Sequence, residues 1–495
     1  MRVLRVLLFT FTFLEYWTSS SKLYPNARPP IQNRTFISTA IEEYLKITIP
    51  KFKDSELATI FSNALPNTLD TTVYQHTSSD SFIITGDIEA MWLRDSTRQV
   101  SPYIRFITSD SRLSKMLGNL VLRQAKSINI SPYSNAFNID GKTQGGHPDD
   151  VVSPTLGNYT FEGKYELDSI VSFLKLSSEV YGEQIKSKAF ASTFLAYTKS
   201  NFYTWVNALH TVLGVIEAQQ LSTEEQENQP SGPNYTFQRK TDTATDTLFV
   251  GGRGMPSQYT GMSRSEFRPS DDSQILPYYI PSNAFAVVEL EKMAVTLHSI
   301  SGDKTFLELH SKYADQLTSL ADRCSTLTSE IDNGIKTYGM LNKKESFAFE
   351  VDGYGNQLFM DDANIPGLLS LPSIGYVSIH DQAYQNTRAK ILSTKTNPYY
   401  FEGTAASGVG GAHCGYGYIW PMAMITRIQT SDDEDEIVQN LGWLKEAARG
   451  TAFMHESFNQ NDFQDYTRSW FAWANSLFAE MIMDLMESHP HLIIK

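Results

Sequence analysis

The feature that most constrains this chain is apolar residues recurring at helical spacing in one segment after another. Spacings of i, i+3, i+4 and i+7 put side chains on one face of a helix. They recur at Ile41–Ile47, Leu57–Leu65, Leu113–Ile128, Ile170–Tyr181, Phe190–Gln219, Phe285–Ile300, Lys304–Leu327, Ile365–Leu371, Tyr418–Ile428, Ile437–Phe453 and Ser469–Met486. Strand candidates such as Phe347–Val351 are short and never alternate with the helices as βαβ units require. The pattern predicts an all-α protein of about a dozen helices.

The connections between the predicted helices are long and rich in Gly, Pro, Asp and aromatic residues. Pairs of helices joined in this way suggest a toroid of helical hairpins, in which the loops at one end converge on a central funnel. No self-similarity with a period of 20 to 50 residues is visible. A closed ring is therefore favoured over an open solenoid.

Composition excludes several classes of protein. The 495 residues are 41% hydrophobic and 19% charged, which is enough for a large core and excludes a disordered chain. The net charge of −14 argues against nucleic acid as a partner. Cys324 and Cys414 allow at most one disulfide, and neither stands in a CxxC pair typical of zinc or redox sites. The sequence leaves open whether the two cysteines pair.

The N-terminus has the layout of a secretory signal. Arg2 and Arg5 precede an apolar run at 6–14 and a small polar stretch at 18–21. The run is shorter than the about 20 residues of a membrane-spanning helix, so we predict a signal peptide over residues 1–21. An uncleaved amphipathic start is the alternative. We expect a protein of the secretory pathway, extracellular or associated with the cell wall, with no membrane contact after signal removal. Sequons that fit this route occur at Asn33, Asn129, Asn158 and Asn234.

Charged and aromatic residues concentrate in a few connections. These clusters lie at 85–96, 145–150, 165–169, 267–272 and 454–458. Sugar recognition needs such groups, because carboxylates and guanidinium groups bind vicinal hydroxyls while aromatic faces cover the C–H surface of the ring. The clusters therefore favour a carbohydrate-binding funnel.

In the first cluster, Trp92 stands between Asp87 and the pair Arg94 and Asp95. A continuous helix would put Asp87 and Arg94 two turns apart on nearly one face. This arrangement suits a substrate platform. The alternative is an Arg–Asp pair that only stabilises a helix start.

Asp271 and Asp272 are adjacent carboxylates in a Pro-containing turn. Neighbouring carboxylates can raise the pKa of one member, as a general acid near neutral pH requires. Adjacent side chains point in different directions, so one of the two would donate a proton while the other orients it or binds substrate. The alternative is that the pair caps a helix beginning near Tyr278.

Glu456 stands between His455 and Ser457, after a long predicted helix. A carboxylate among hydrogen-bonding neighbours stays ionised and can take a proton from water, although a lone Glu can also be ordinary surface. His455 and His147 lack a second ligand at zinc spacing, and no HExxH motif occurs, so we expect no metal and no cofactor. Covalent acyl chemistry is excluded by the lack of a GxSxG elbow or a Cys nucleophile beside a base.

These clusters belong to longer motifs that resemble the signatures of glycoside hydrolase family 125, a family of exo-acting α-1,6-mannosidases. The resemblance runs from about Lys51 to Met486. The motifs are TGDIEAMWLRDS, GGHPDDVVSPTLGNYTFEGKYELDS, FRPSDDSQILPYYIPSNAFAVV, FEVDGYGNQLFMDDANIPGLLSLP, GYGYIWPMAM and HESFNQNDFQDYTRSWFAWANSLF. Six long motifs in the same order are far more specific than any single cluster.

The resemblance implies an (α/α)6 barrel, with a lead-in and first helix over 22–50 and a single catalytic domain over 51–490. It implies hydrolysis of terminal α-1,6-linked mannose with inversion and without a metal. The family's acid falls within Asp271 and Asp272, with Asp271 favoured, and its base falls on Glu456. The residues implied to bind substrate are Asp87, Trp92, Arg94, Asp95, His147, Glu166, Asp168, Arg268, Asn283, His455 and Arg468.

The expected substrate is an α-mannoside oligosaccharide, an N-glycan or a mannan. One alternative is a non-catalytic mannoside-binding protein on a glycosidase scaffold, against which the retention of both acidic positions argues. Another is a toroidal synthase or cyclase, in which aspartate pairs bind a metal and a diphosphate. No DDxxD spacing follows any pair that could serve: Asp149–Asp150, Asp271–Asp272 and Asp361–Asp362.

Overall fold

The computed structural model describes residues 24–143, 145–186, 199–342 and 344–495. The predicted signal peptide at 1–21 and the segment 190–198 of one predicted helix lie outside these residues. Within the described ranges, no helix combines the length and the apolar character needed to cross a bilayer.

The described chain is rich in helix. The helices are α1 Thr39–Thr48, α2 Ser55–Ala64, α3 Asn67–Thr71, α4 Leu93–Val100, α5 Ser111–Ile130, α6 Leu167–Lys186, α7 Lys199–Ala218, α8 Thr223–Glu227, α9 Phe249–Gly252, α10 Ile280–Ser301, α11 Lys304–His310, α12 Ala314–Tyr338, α13 Gln382–Ile391, α14 Pro421–Gln429, α15 Glu434–Ala447, α16 Ala472–Ser488 and α17 Pro490–Ile493.

The central helices contact one another in a closed sequence. Helix α4 packs against α6, and α6 packs against α10. Helix α14 packs against α16, which returns to α4. Between α10 and α14, a 3-10 turn at Leu368–Ser370 contacts both helices and completes the sequence. Helix α10 shows why these elements are central, because residues 280–290 are all buried and the helix has no solvent face there.

A second set of helices packs outside the first. Helix α5 lies against α6, α12 against α10, α15 against α14 and α2 against α16, while α13 lies against the 3-10 turn. Outer helices begin with polar caps: Asp54 accepts hydrogen bonds from the first turn of α2, Asp110 from that of α5 and Asp433 from that of α15.

Several central helices begin differently. The N-cap residues of α4, α10, α14 and α16 are Trp92, Tyr279, Trp420 and Phe471, and none of these side chains caps its helix. The first backbone N–H groups of a helix carry partial positive charge and lack partners within the helix. The convergence of these helix ends therefore provides a site for polar ligands.

Short strands occupy the connections. The three-stranded sheets are β3 Met91–Trp92, β4 Ala136–Phe137 and β6 Thr160–Glu162; β8 Tyr278–Tyr279, β11 Glu350–Val351 and β12 Gln357–Leu358; and β15 Tyr418–Ile419, β16 Phe458–Asn459 and β17 Asp462–Tyr466. The two-stranded sheets are β1 Val73–His76 with β2 Ser81–Ile83, β5 Val151–Ser153 with β7 Thr236–Gln238, β9 Met340–Leu341 with β10 Ser346–Phe347, and β13 Tyr400–Glu402 with β14 Ser407–Val409. All pairs are antiparallel.

Most predicted helices are present, with corrections to three segments. The segment 365–371 forms only the 3-10 turn, because the N–H groups of Leu368 and Leu369 donate to the Asp361 carboxylate. The segment 304–327 is two helices, α11 and α12, separated by a 3-10 turn at Ser311–Tyr313. The strand candidate at 347–351 belongs to two strands, β10 and β11. Helices α4 and α13, and the short helices α3, α8, α9 and α17, were not predicted.

The two cysteines are separate thiols. Cys324 is buried in α12, and Cys414 is half-buried in the loop before β15. The question that the sequence left open is answered: they form no disulfide with each other in this structure.

Candidate active site

A pocket with about 450 Å³ of empty space opens where the N-terminal ends of α4, α14 and α16 converge. It combines carboxylates, guanidinium groups and indole rings, which suits a polyhydroxylated ring. Its lining residues are Thr85, Ile88, Trp92, Arg94, Asp95, Pro269, Ser270, Asp271, Asn364, His413, Trp420, Glu456, Arg468, Phe471 and Trp473.

One wall is a tight turn that carries Asp271. Phe267 and Ser273 form an antiparallel bridge at its base, and Arg268 N donates to Asp272 O at 2.8 Å. Asp271 has a φ of 68°, a left-handed conformation that costs energy for a residue with a side chain. Lys164 Nζ secures it by donating to Asp271 O at 2.7 Å. Strain maintained in this way is typical of functional positions.

The turn separates the two adjacent aspartates. Asp271 lines the pocket, whereas Asp272 is buried outside the lining. The capping alternative is excluded, since α10 begins at Ile280 and its N-cap is Tyr279.

The prediction that a neighbouring carboxylate raises the pKa at this turn is wrong for Asp271. Burial alone would raise the pKa of Asp271, but the nearby Arg94 and Lys164 cations outweigh burial and lower it below its usual range. At Glu166, by contrast, burial raises the pKa well above its usual value, and the neighbouring Asp271 and Asp168 carboxylates add to this effect.

Arg94 is the centre of a buried charge cluster beside the pocket. Its guanidinium nitrogens lie 2.6 Å from Glu166, 3.3 Å from Asp95, 3.3 Å from Asp168 and 3.6 Å from Asp271. Burial raises the pKa of Asp95 to about 6. The cluster fixes the guanidinium between the pocket and the interior, with Glu166 and Asp168 behind it.

The hairpin of β16 and β17 brings Glu456 and Arg468 to another wall of the same pocket. Thr467 Oγ1 donates to Glu456 Oε2 at 2.9 Å, and Arg468 Nε lies 3.3 Å from Glu456 Oε1. Arg468 Nη1 also pairs with Asp87 Oδ1 at 2.7 Å. Glu456 is 6% exposed, so its carboxylate is held by neighbours rather than by bulk water.

Aromatic residues complete the pocket. Trp92, Trp420 and Trp473 are buried, and their indole N–H groups have no hydrogen-bond partner among the described residues. The guanidinium of Arg94 lies 5.5 Å from the centre of the Trp473 ring. The indole rings can cover the C–H face of a sugar.

No continuous helix joins Asp87 to Arg94. Strand β3 precedes α4, and Asp87 lies before β3 in an exposed loop. Asp87 lies outside the pocket lining and is linked to the pocket by its ion pair with Arg468. The Arg–Asp pair at a helix start is present between Arg94 and Asp95, but it lines the pocket as well.

Besides Asp87, Glu166 and Asp168, four more residues expected to bind substrate lie outside the pocket lining. The Asn283 amide bonds to the backbone N and O of Ser263 and braces the start of α10. Arg268 pairs with Glu350 at 2.7 Å below the turn. His147 is half exposed, 3.6 Å from Glu162.

His455 is the fourth. Its ring stacks on Tyr466 with centroids 3.8 Å apart, and Nδ1 lies 2.8 Å from Arg468 O. Burial lowers the pKa of His455. The neutral imidazole therefore supports the backbone of Arg468 from behind.

Several residues that line the pocket were not among the site residues predicted from the sequence. Trp420, Phe471 and Trp473 lie at or near the first residue of a central helix, as Trp92 does, and this shared position was the available signal. Asn364 follows the Asp361–Asp362 pair in a quoted motif. His413 lies on an exposed loop and carried no signal.

No group of three or more His, Cys, Asp or Glu side chains is arranged around a common metal position in the described part of the chain.

Comparisons with known proteins agree with the geometry. The family profile described as metal-independent alpha-mannosidase (GH125) matches residues 54–483. The Meiotically up-regulated gene 157 protein of Schizosaccharomyces pombe is 41% identical in an alignment of 490 positions that covers 95% of this chain and 90% of that protein.

Solved structures extend the comparison. A metal-independent α-mannosidase of Streptococcus pneumoniae, in a non-productive substrate complex with α-1,6-mannobiose, is 37% identical over 91% of this chain and 99% of its own, with a TM-score of 0.77. A glucoamylase of Saccharomycopsis fibuligera is 12% identical over 93% and 98% of the two chains, with a TM-score of 0.51, and shares the fold alone. The chain thus belongs to glycoside hydrolase family 125, the metal-independent α-mannosidases, as its motifs indicated.

Proposed function

We propose that this chain removes terminal, non-reducing α-1,6-linked mannose residues one at a time, with inversion at the anomeric carbon. The observation that carries the proposal is that Asp271 and Glu456, from loops far apart in the sequence, line one aromatic-walled pocket. The linkage is taken from the Streptococcus pneumoniae relative, whose complex contains α-1,6-mannobiose.

In the proposed reaction, Asp271 protonates the leaving 6-oxygen while Glu456 takes a proton from a water on the opposite face of the ring. The water attacks the anomeric carbon in a single displacement, and the product is β-mannose. Inverting enzymes hold their two carboxyl groups about 6.5–9.5 Å apart to admit this water. Arg94 and Asp95 would bind ring hydroxyls, and the indole rings would hold the sugar near an oxocarbenium-like shape.

The closed sequence of central helices, with its outer helices, supports an (α/α)6 barrel. In this proposal the pocket is the funnel of the barrel and receives the terminal mannose of the chain. Residues 51–490 would form a single catalytic domain, with 22–50 as its lead-in.

We also propose that the chain enters the secretory pathway. This rests on Arg2, Arg5 and the apolar run at 6–14. Expression in a eukaryotic host with N-terminal sequencing of the secreted protein tests it, and the expected mature start lies between Ser19 and Lys22. A product that stays in the cell and begins at Met1 would contradict it.

The central experiment is proton NMR of the purified protein with α-1,6-mannobiose. Release of β-mannose before mutarotation is the expected result, and α-mannose appearing first would contradict inversion. Binding without turnover would favour the non-catalytic mannoside-binding alternative. Loss of turnover in EDTA would contradict a metal-independent mechanism.

A further inference from the structure

The buried cluster around Arg94 contains more carboxyl groups than nearby cations can neutralise. Asp95, Glu166, Asp168 and Asp271 all lie within 3.6 Å of this guanidinium. The side chains of Glu166 and Asp168 are completely buried, and that of Asp95 is 8% exposed. Only Asp271 reaches the pocket substantially, with 26% of its side chain exposed.

Other cations near the cluster do not restore the balance. Lys164 contributes one charge and is hydrogen-bonded to the Asp271 carbonyl. His413 lies close enough to act on Asp271. Two arginines border the cluster but also have acidic neighbours outside it. Arg468 pairs with Asp87 and Glu456, and Glu480 and Glu289 act on Arg98 more strongly than Asp168 does.

Uncompensated negative charge is unstable in a buried site, so such a cluster retains protons near neutral pH. The position of a retained proton matters for the proposed mechanism. Asp271 must be protonated to act as an acid, yet it is the carboxyl group closest to solvent and faces two cations, Arg94 and Lys164, that favour its ionised form.

Glu166 is placed to hold that proton. Its carboxyl group lies 2.6 Å from the Arg94 guanidinium, which also lies 3.6 Å from Asp271, and it is on the side away from the pocket. Ser169 Oγ and Asn135 Nδ2 fix it at 2.6 Å and 3.2 Å. Burial raises the pKa of Glu166 well above its usual value, and the Arg94 cation only partly opposes this.

We propose that Glu166 stores the catalytic proton in the free enzyme and passes it to Asp271, which contacts the same guanidinium of Arg94. The inference rests on the proposed function. Glu166 would be a positioning residue that acts through Asp271, and this differs from the sugar-contacting role that the sequence resemblance implied.

Each proton transfer in the proposed step breaks one O–H bond and forms another. The O–H bond of Glu166 breaks as an O–H bond forms on Asp271, and the O–H bond of Asp271 breaks as one forms on the leaving oxygen. The electron pair of the broken glycosidic bond stays on that oxygen. Glu166 is left as a carboxylate against Arg94 and regains a proton from solvent after product release, while the proton taken from water by Glu456 returns to solvent.

The test compares two substrates with different leaving groups. Departure of a sugar hydroxyl needs an acid, whereas departure of dinitrophenolate does not. Glu166→Gln keeps the shape and hydrogen bonds of a neutral carboxyl group but carries no transferable proton. We expect kcat on α-1,6-mannobiose to fall by about 100-fold or more, and kcat on dinitrophenyl α-mannoside to fall by about threefold at most.

Asp168→Asn is the matched control, since it removes another carboxylate from the same guanidinium. We expect it to reduce activity on both substrates by the same factor. Should Glu166→Gln fail to fold, Glu166→Asp withdraws the acid from Asp271 by one methylene, and the same loss confined to mannobiose is expected.

Equal losses on both substrates in the Glu166 variants, or unchanged turnover of mannobiose, would overturn the inference. Its failure is separable from failure of the proposed function. If Asp271→Asn shows the selective loss and the Glu166 variants do not, Asp271 remains the acid without a proton store. If the wild-type protein does not cleave mannobiose, the proposed function itself fails.

Discussion

Thr467 Oγ1 donates a hydrogen bond to Glu456 Oε2 at 2.9 Å, across the hairpin of β16 and β17. The same hydroxyl lies 2.9 Å from Ser457 Oγ, and the next residue, Arg468, holds the other carboxylate oxygen. The hairpin thus fixes both oxygens of Glu456 from one side. The orientation of a proposed general base depends on such contacts, because a small misplacement of a reacting group lowers the rate strongly.

The first prediction concerns Glu456 itself. Glu456→Gln preserves the size of the side chain and one acceptor oxygen but removes the group proposed to accept a proton from water. We expect kcat on α-1,6-mannobiose to fall by about 1,000-fold, while mannose binding measured by calorimetry stays near the wild-type value. A variant with near-normal kcat would remove Glu456 from the mechanism.

The second prediction concerns Thr467. Thr467→Val keeps the side-chain shape but removes the hydroxyl that orients Glu456. We expect kcat to fall by about tenfold with little change in KM, because the contact acts on the base and not on the sugar. Thr467→Ser retains the hydroxyl and is the control, with activity close to wild type. A rise in KM at constant kcat would show that Thr467 acts on substrate instead.

Much of the fold was predictable because its helices carry apolar residues at regular spacing. Helix α4 was missed for a physical reason. Its sequence, LRDSTRQV, is mostly polar, yet nearly all of it is buried, since its side chains form the charge cluster and the surrounding hydrogen bonds. Helix α13 was missed because its sequence, QAYQNTRAKI, has few apolar residues and only one face packs inward. Burial is therefore hardest to predict from composition in helices that belong to the site or lie at the periphery of the fold.

The carboxylates of the site were predictable from motifs, but their chemistry was not. The pKa of Asp271 depends on Arg94 and Lys164, which are distant in sequence and reach the turn only after folding. Likewise, His455 and Asn283 share the motifs but face away from the pocket. Sequence spacing shows which residues share a motif. It does not show which of their side chains face the pocket.

The third prediction is that Arg94 is required for stability as well as for the site. Arg94→Met would leave Glu166, Asp168 and Asp95 without their shared cation. Because a buried charge without its partner is strongly destabilising, we expect the free energy of unfolding in urea to drop by about 3–5 kcal/mol.

Arg105→Met is the control for the loss of an arginine. Arg105 pairs with Asp484 and Glu487 near the surface, where its side chain is 34% exposed. Exposed ion pairs contribute little, so its loss should cost about 0–1 kcal/mol. Equal destabilisation by the two substitutions would show that the Arg94 cluster has no special energetic role.

The last prediction uses pH. Asp362 is 3% exposed and accepts hydrogen bonds from Ser270 Oγ and Asn364 N behind the turn that carries Asp271. Burial raises the pKa of Asp362 from 3.8 to about 6. The folded protein therefore binds this proton more tightly than the unfolded chain does. Its stabilising contribution is complete below about pH 4 and is lost as the pH rises through about 6.

Asp362→Asn mimics the protonated group at every pH and removes this dependence. The variant should match wild type near pH 4 and exceed it near pH 7, by about 3 kcal/mol, because each pKa unit corresponds to about 1.36 kcal/mol. Urea unfolding of both proteins at the two pH values measures the difference directly, and other titrating groups cancel in the comparison. A difference that stays constant between pH 4 and pH 7 would mean that Asp362 has the same pKa in the folded and unfolded states.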